Sequence, residues 1–598
     1  MGSVLSQIRL TAEAVLAVTA TYKELSKRIA ASPGIPLPNP STPYWAIPAS
    51  PIAKHDHDKL PEYADVVIIG SGISGTSFAR TLLDEYYADK DYDKRPLKVV
   101  MLDARDACYG ATGRNGGHCC PILYPEYPGL KKRLGAEEAK AIIRFRRAHI
   151  EELLKVAKEE GLLEDSQIRR VQAHDVFFKQ ELYDDMKEKL ALYLHDIPEE
   201  KDKWTVFEDK ESFQSLQVHD SVAGVISTDA GALHPYRLVT GVLERLLSGY
   251  PESFYLFTNT PCLSISPPSS GTDHIVYTSR GPIRTPHVVH ATNAWASHLI
   301  KPMRRKIIPA RGTMTAQRPG TKLGLANTLN GESWSGKRSF VFYPSKNGNF
   351  DYLTQMPTTS SSTSNYPSPS AELMFGGGLL DGGLVNAKLS NIGNVDDTKW
   401  DTSTEAYLSG ALASGSNGGY FGRNWGQEGR PEDSGISSSL YKDEELGEGR
   451  VIKSWGGILS FSADRMPWVG RLPAKITGRK GRKLVRSTES RAAAPWARVR
   501  VVPEEEGEKA RDDITLADDN SSQYERLSSN QDPNPYLAAP GEWIAAGYTG
   551  EGMTHAWLSA KALAYMVLDK EDSDEFFLPN SFRVTEKRWR KARLEDLV

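Results

Sequence analysis

Residues Ala64 to Leu83 (ADVVIIGSGISGTSFARTLL) constrain the fold of this chain more than any other stretch. Val66, Val67, Ile68 and Ile69 form a continuous apolar run, the pattern of a parallel strand covered on both faces. Gly70, Gly72 and Gly75 follow in G-x-G-x-x-G spacing and open a helical pattern. The three glycines act differently. Gly70 permits the sharp turn, Gly72 lets backbone approach a pyrophosphate, and Gly75 lets helix and strand pack closely. The helix N-terminus adds free N–H groups and partial positive charge, so a dinucleotide is the expected ligand. A second strand pattern, Leu97 to Asp103 (LKVVMLD), ends in a carboxylate placed to accept hydrogen bonds from ribose hydroxyls. Asp103 comes later than the roughly 20-residue offset of the fingerprint, because the polar insert Tyr86 to Arg95 lengthens the connection between helix and strand.

A chain of 598 residues has room for two compact domains and long inserts. Its apolar fraction of 39%, charged fraction of 25% and net charge of −3 describe a globular chain with no overall attraction to nucleic acid. The four cysteines, Cys108, Cys119, Cys120 and Cys262, are too few and too irregular for a disulfide framework and form no C-x-x-C zinc pair, so no metal site is expected. A reducing, cytoplasmic setting fits that usage. No stretch reaches the roughly 18 apolar residues of a membrane span, and Gly2 and Ser6 match a short N-myristoylation pattern.

Taken in order, Leu5, Ile8, Ala12, Val15, Val18, Tyr22, Leu25 and Ile29 recur at helical steps and predict a helix docked on the main body. The Pro-rich segment Pro33 to Pro51 then stops the helix and reads as an extended strap. After Asp103 comes the small-residue loop Gly110-Ala-Thr-Gly-Arg-Asn-Gly-Gly-His118.

Together with the glycine turn and Asp103, this loop resembles the D-amino-acid oxidase-type family of FAD-dependent oxidoreductases, nearest to fungal and bacterial amine-oxidising members with a GA-[ST]-GRNGG signature. Further segments resemble the family in its own order: Asp229 to Leu243, His274 to Thr292 with the following Asn293 and Ala294, Pro309 to Gly312, Trp455 to Gly470, and Gly541 to Ala556. The resemblance implies an α/β (α+β overall) fold, with a Rossmann-like FAD-binding domain into which an antiparallel-sheet substrate domain is inserted. The implied FAD contacts are Gly70, Gly72, Ser74, Gly75, Asp103, Ala104, Arg105, Ala111, Thr112, Arg114, Asn115, Gly116, Gly550, Gly552, Met553 and Thr554. The helix starting near Gly552 is implied to face the flavin pyrimidine, where its dipole favours negative charge at N1 and O2. His118 ends the glycine loop where either substrate contact or a structural role is open, and catalytic residues are left unassigned. Arg114, Arg311 and Arg465 could each serve structure or a substrate carboxylate.

The expected domains are a helix and strap over 1–60, an FAD-binding domain of 61–170, 224–311 and 536–598, and a substrate domain of 171–223 and 312–473. Residues 474–535 read as a charged, disordered insert, basic from Ala474 to Arg500 and acidic from Val502 to Asp519. Pro357 to Ala371 and Gly410 to Ser439 read as polar loops, and the basic patch Arg144, Arg146 and Arg147 as a solvated helix face. The resemblance implies oxidation of an amine or amino-acid C–N bond by hydride transfer to flavin N5, with oxygen reoxidising the flavin. Two rival readings are an FAD enzyme acting on a secondary-metabolite intermediate and a non-catalytic FAD-binding scaffold. Some relatives attach FAD through a cysteine in the segment matching Trp455 to Asp464; here Gly457 takes that position and no cysteine follows Cys262, so non-covalent FAD is expected.

Overall fold

The computed structural model describes residues 2–88, 95–268, 273–323, 336–346, 349–358, 366, 369–378, 389–413, 419–429, 446–479 and 534–597. Among these, the strands form three sheets. The first, of six strands, runs Trp468–Arg471, Gly541–Ala546, His287–His290, Val66–Ile69, Val99–Leu102, Phe254–Phe257. All neighbours are parallel except the edge pair of Trp468–Arg471 with Gly541–Ala546. The apolar run Val66 to Ile69 is continuous because both faces are occupied. Val66 and Ile68 share a core with Phe78, Leu82 and Leu563 of two helices, Ile73–Ala88 and Ala556–Val567. Val67 and Ile69 share another with Ile265, Val276 and Ile283 of the second sheet. That three-stranded antiparallel sheet, Cys262–Ser266, His274–Thr278 and Gly281–Thr285, contains a hairpin that turns at Ser279 and Arg280.

The third sheet has nine strands and lies where the substrate domain was expected. Its order is Val451–Ser462, Ile307–Gln317, Leu373–Gly376, Asp351–Gln355, Arg338–Tyr343, Arg169–Phe177, Gly224–Ala232, His118–Cys119, with Thr205–Phe207 also on Gly224–Ala232. It is antiparallel apart from one parallel pair, Arg338–Tyr343 with Arg169–Phe177. The exception has a chain-order cause: this pair joins two separate excursions from the nucleotide-binding sheet, so no hairpin links the two strands. The sheet also takes in His118–Cys119, Arg169 and Arg170, Gly224–Ala232 and residues 307–311, which the expected boundaries left with the FAD-binding part, whereas Trp468–Arg471 belongs to the six-stranded sheet. Ladder hydrogen bonding, rather than local composition, sets these borders.

Four further expectations are corrected. Helix Gly2–Ala30 forms, but Val15 and Tyr22 of its apolar stripe are exposed; its C-terminal end is anchored, where Arg28 Nε donates to Ile392 O at 3.2 Å. Amphipathicity shows which face could be buried, not whether a partner surface reaches it. In helix Ala136–Glu159, Arg146 is 1% exposed and donates through Nε to His555 Nε2 at 3.2 Å and through Nη2 to Glu126 at 2.8 Å, while Arg147 pairs with Glu200 and Asp229. Only Arg144, in an exposed pair with Glu199, fits the solvated-face reading. The charged insert also begins later than 474: Ala474–Thr477 is helical with Ile476 buried, and Arg479 donates to Glu542 at 2.6 and 2.8 Å. Its remainder, residues 480–533, lies outside the described residues, as does most of the loop read over Pro357 to Ala371. The polar-loop reading of Gly410 to Ser439 is corrected over 410–413 and 419–429, where Leu412, Tyr420, Phe421 and Trp425 are buried in one apolar core.

Candidate active site

One continuous cavity of about 640 Å³ runs from the glycine turn, past the Gly110–His118 loop, to the face of the nine-stranded sheet. Every expected FAD contact lines it except Gly75. Gly75 instead backs the turn, where a Cβ would stand 1.9 Å from Gly70 O. Gly70 has φ +111°, and a Cβ there would meet Ala291 O at 2.6 Å, so the neighbouring strand leaves no room for a side chain.

The polar groups around the turn are arranged by the chain itself. The Asp103 carboxylate accepts from Ser71 N at 3.0 Å, from Ser71 Oγ at 2.5 Å and from Arg105 N at 3.0 Å. Burial raises its pKa, with those donors pulling the other way. These bonds leave carboxylate lone pairs toward the cavity. Thr112, in the 3₁₀ turn Ala111–Arg114, accepts from Ile73 N at 3.0 Å and caps the helix start. Ser74 Oγ and Tyr548 OH are 2.7 Å apart across the cleft.

Arg105 and Arg114 line the cavity through their stems, whereas their guanidinium groups are turned onto buried Asp397. Arg105 donates two bonds of 2.8 Å to it; Arg114 stands 3.8 Å away and also donates to Gly456 O and Ser41 O at 2.6 Å. Burial lowers the Arg114 pKa to about 10, opposed by Asp397. This arrangement ties the glycine loop to the Pro-rich strap. Arg311 is similarly engaged, donating to Asn391 Oδ1 and Asp396 O. Arg465, exposed on the turn after Ser462, also lines the cavity.

The residues present fit a flavin dinucleotide. Gly110 and Gly552 have nothing within 4 Å of a Cβ position, so the walls they line are bare backbone. Gly312 and Gly457 sit directly opposite one another in the strand pair Ile307–Gln317 and Val451–Ser462, which removes two adjacent side chains where a flat ring would lie. Thr292 Oγ1, on the same lining, is buried with no hydrogen-bond partner among the described residues. The Gly550–Thr554 segment closes this part of the cavity: Gly550 N donates to Ser460 O at 3.2 Å, and the 3₁₀ turn Gly552–Thr554 leads into the helix starting at Ala556. Asn115 Nδ2 reaches Met553 Sδ at 3.5 Å, joining the glycine loop to that wall.

Beyond this region the cavity widens over the nine-stranded sheet, onto residues that sequence reasoning did not single out. Ala173 and Asp175 alternate onto the cavity face of one strand, Ile226 and Thr228 onto that of its neighbour, and Val341 and Tyr343 onto the third. Tyr124, Trp204, Phe350 and Tyr352 complete an aromatic surround. The Tyr124 hydroxyl donates to Asp175 Oδ2 at 2.8 Å, and burial pushes the Asp175 carboxyl up to about 7 against that bond. Glu126 and Glu551 also line the chamber, and burial raises the Glu551 pKa; its Oε2 has no hydrogen-bond partner among the described residues. Period-two alternation was the available signal for Ala173 and Asp175, but only sheet register aims that face at the ligand. His118 Nε2 lies 3.1 Å from Ser339 Oγ, and burial lowers its pKa to about 4, so it stands as a neutral hydrogen-bonding group.

The family model for FAD dependent oxidoreductases (DAO) matches residues 65–413. The chain belongs to that family and is an FAD-dependent oxidoreductase. Gamma-glutamylputrescine oxidoreductase of Escherichia coli (strain K12) is 23% identical over 294 residues, covering 48% of this chain and 62% of that relative. This chain therefore spans less than two thirds of the curated relative it matches. In fold it is similar to L-amino acid deaminase from Proteus myxofaciens in complex with anthranilate, with TM-score 0.53 and 11% identity over 93% of this chain and 98% of that one. Proteus vulgaris L-amino acid deaminase, lacking its specific insertion sequence, gives TM-score 0.50 and 14% identity over 90% and 98%.

Proposed function

We propose that this protein oxidises the C–N bond of an amine or amino acid, with oxygen as the electron acceptor. The carrying observation is the single cavity that joins the glycine-lined dinucleotide cradle to a largely apolar, aromatic chamber on the nine-stranded sheet. Matching family members named for γ-glutamylputrescine oxidation and L-amino acid deamination support the reading. FAD, when bound, supplies acceptance of a hydride from the carbon next to nitrogen. The chain's own contribution is placement. Gly70, Gly72, Ser74 and Asp103 hold the dinucleotide end; Ala104, Arg105, Ala111, Thr112, Arg114, Asn115 and Gly116 shape the long wall; Gly550, Gly552, Met553 and Thr554 close the ring end. Tyr124, Tyr343 and Tyr352 exclude water from the chamber, which favours the neutral amine needed for hydride loss. The imine product is then hydrolysed by water.

The test is anaerobic mixing of purified holoprotein with amines and amino acids while flavin absorbance is followed. Substrate-dependent bleaching, reversed with peroxide release on admitting oxygen, is the expected result. A fully loaded protein whose flavin no amine or amino acid reduces would refute the assignment.

A further inference from the structure

The aromatic chamber is acidic where a carboxylate-binding pocket needs a cation. Asp175 projects from the middle of the sheet floor, between Ile226 and Val341 in register, and its hydrogen-bond partner is a neutral tyrosine, Tyr124. Among the described residues no lysine or arginine pairs with Asp175, and no lysine lines the cavity; Arg465, which does line it, follows the edge strand Val451–Ser462, five strands from that of Asp175. Arg105 and Arg114 are turned away onto Asp397. Arg146 lies behind the wall, paired with Glu126 at 2.8 Å and standing 3.8 Å from Glu551.

We propose that Asp175 is a specificity-determining residue of the substrate chamber and that the substrate is an amine bearing a second, cationic nitrogen and no carboxylate. This rests on the amine-oxidising reading above and extends it to a substrate class. An ammonium entering the chamber finds a carboxylate acceptor in Asp175 and aromatic rings in Tyr343 and Phe350, two forms of recognition that suit a cation and need no counter-ion from solvent. Tyr124 steadies the carboxylate from the side while leaving Oδ1 for the ligand. A carboxylate in the same place would face Asp175 and Glu126, while Arg146 is already paired with Glu126 and Arg147 with Glu200 and Asp229, and it would lose its own hydration without compensation.

The experiment uses full-length holoenzyme and three matched probe series: α,ω-diaminoalkanes, n-alkylamines and ω-amino acids, with kcat/KM read from flavin reduction. Wild type should prefer the diamine over its matched monoamine, and the monoamine over the ω-amino acid. Asp175→Asn should cut the diamine-to-monoamine ratio by about 10- to 100-fold, the worth of a hydrogen bond to a charged group, mainly through KM. Asp175→Glu should keep most of the ratio. Tetramethylammonium should compete with the diamine on the wild-type enzyme, where no variant has to fold, and butanoate should not. An unchanged ratio in Asp175→Asn, a wild-type preference for ω-amino acids, or competition by butanoate alone would overturn the proposal while leaving amine oxidation standing. Failure of every amine and amino acid to reduce the flavin would remove both.

Discussion

At residue scale, the cradle depends on what is missing from Gly72. A Cβ there would sit 3.0 Å from Thr112 Oγ1, the atom that caps Ile73 N, and a branched side chain would project further into the cavity. Gly72→Val should therefore yield folded protein that no longer retains FAD; absorbance near the flavin bands after gel filtration reads this, and wild-type flavin content in the variant would remove Gly72 from the phosphate site. The mode of attachment is also decided by single residues. Gly457 offers no sulfur at the position where some relatives tether the cofactor, and the cavity-lining thiols Cys120 and Cys262 are pushed up in pKa by burial, the latter to about 12. Thiolate is the nucleophilic form, so neither presents one near neutral pH. Acid precipitation should leave yellow FAD in the supernatant; flavin fluorescence that follows the denatured chain on a gel would show a covalent bond.

At element scale, the charged insert divides at Arg479. Residues 474–479 pack: Gly478 has φ +71° with Pro302 Cδ 2.6 Å from its Cβ position, and Arg479 pairs with Glu542, which also accepts from His290 Nε2 at 3.0 Å. Residues 480–533 carry the blocks of like charge, whose composition contributes little apolar burial. Replacing 480–533 with a short flexible linker should preserve FAD binding and melting temperature. Removing 474–532 should instead cost about 3–5 kcal/mol, since it strips one partner from a buried ion pair. Denaturant unfolding of the two deletions separates them; equal loss in both would mean that the longer segment also packs. The edge between insert and fold was hidden in the sequence, because Lys475 and Arg479 look like the basic run that follows them.

At the scale of the whole molecule, buried histidines should withdraw stability on mild acidification. His149, His174 and His287 are buried, and burial lowers their pKa values from 6.5 to about 4, 3 and 3 respectively. Their hydrogen bonds suit the neutral ring: His149 Nδ1 donates to Phe145 O, and Nε2 accepts from Leu558 N at 3.3 Å, a contact that a second ring proton would turn into repulsion. Below pH 6.5 the unfolded chain takes up protons that the folded one refuses, so stability present above 6.5 is lost progressively as pH falls toward 4. Each histidine is worth on the order of 3 kcal/mol across that window, against a total stability of about 5–15 kcal/mol. Glu542, held at about 2 mainly against burial by His290 and Arg479, adds a further loss below its ordinary carboxylate range. Asp175, pushed up to about 7, and Glu551, also raised, gain stability over the same window, so the histidine contribution is read as a difference between variants. The melting temperature of His149→Gln should fall less than that of wild type between pH 6.5 and 4.5; parallel profiles would contradict the neutral-histidine account.

Local chemistry was enough to specify the nucleotide half of the molecule. The turn at Gly70, the βαβ unit, the hairpin at Ser279 and Arg280 and the glycine walls of the cavity follow from backbone sterics and hydrophobic period, which act within a few residues and leave a pattern in order along the chain. In the nine-stranded sheet the strand runs Ser339 to Tyr343, Asp351–Gln355 and Leu373–Gly376 are legible, but the pairing of remote segments is not. Asp175 is one carboxylate in an alternating strand, and its place opposite Val341 comes from a parallel pairing between segments more than 160 residues apart. Arg146 reads as surface charge until His555, Glu126 and Glu551 are folded around it, and the guanidinium groups of Arg105 and Arg114 have no legible partner in the sequence until Asp397 meets them. Which partner a charged side chain meets depends on distances between remote segments, and those exist only once the two large sheets have closed on one cavity.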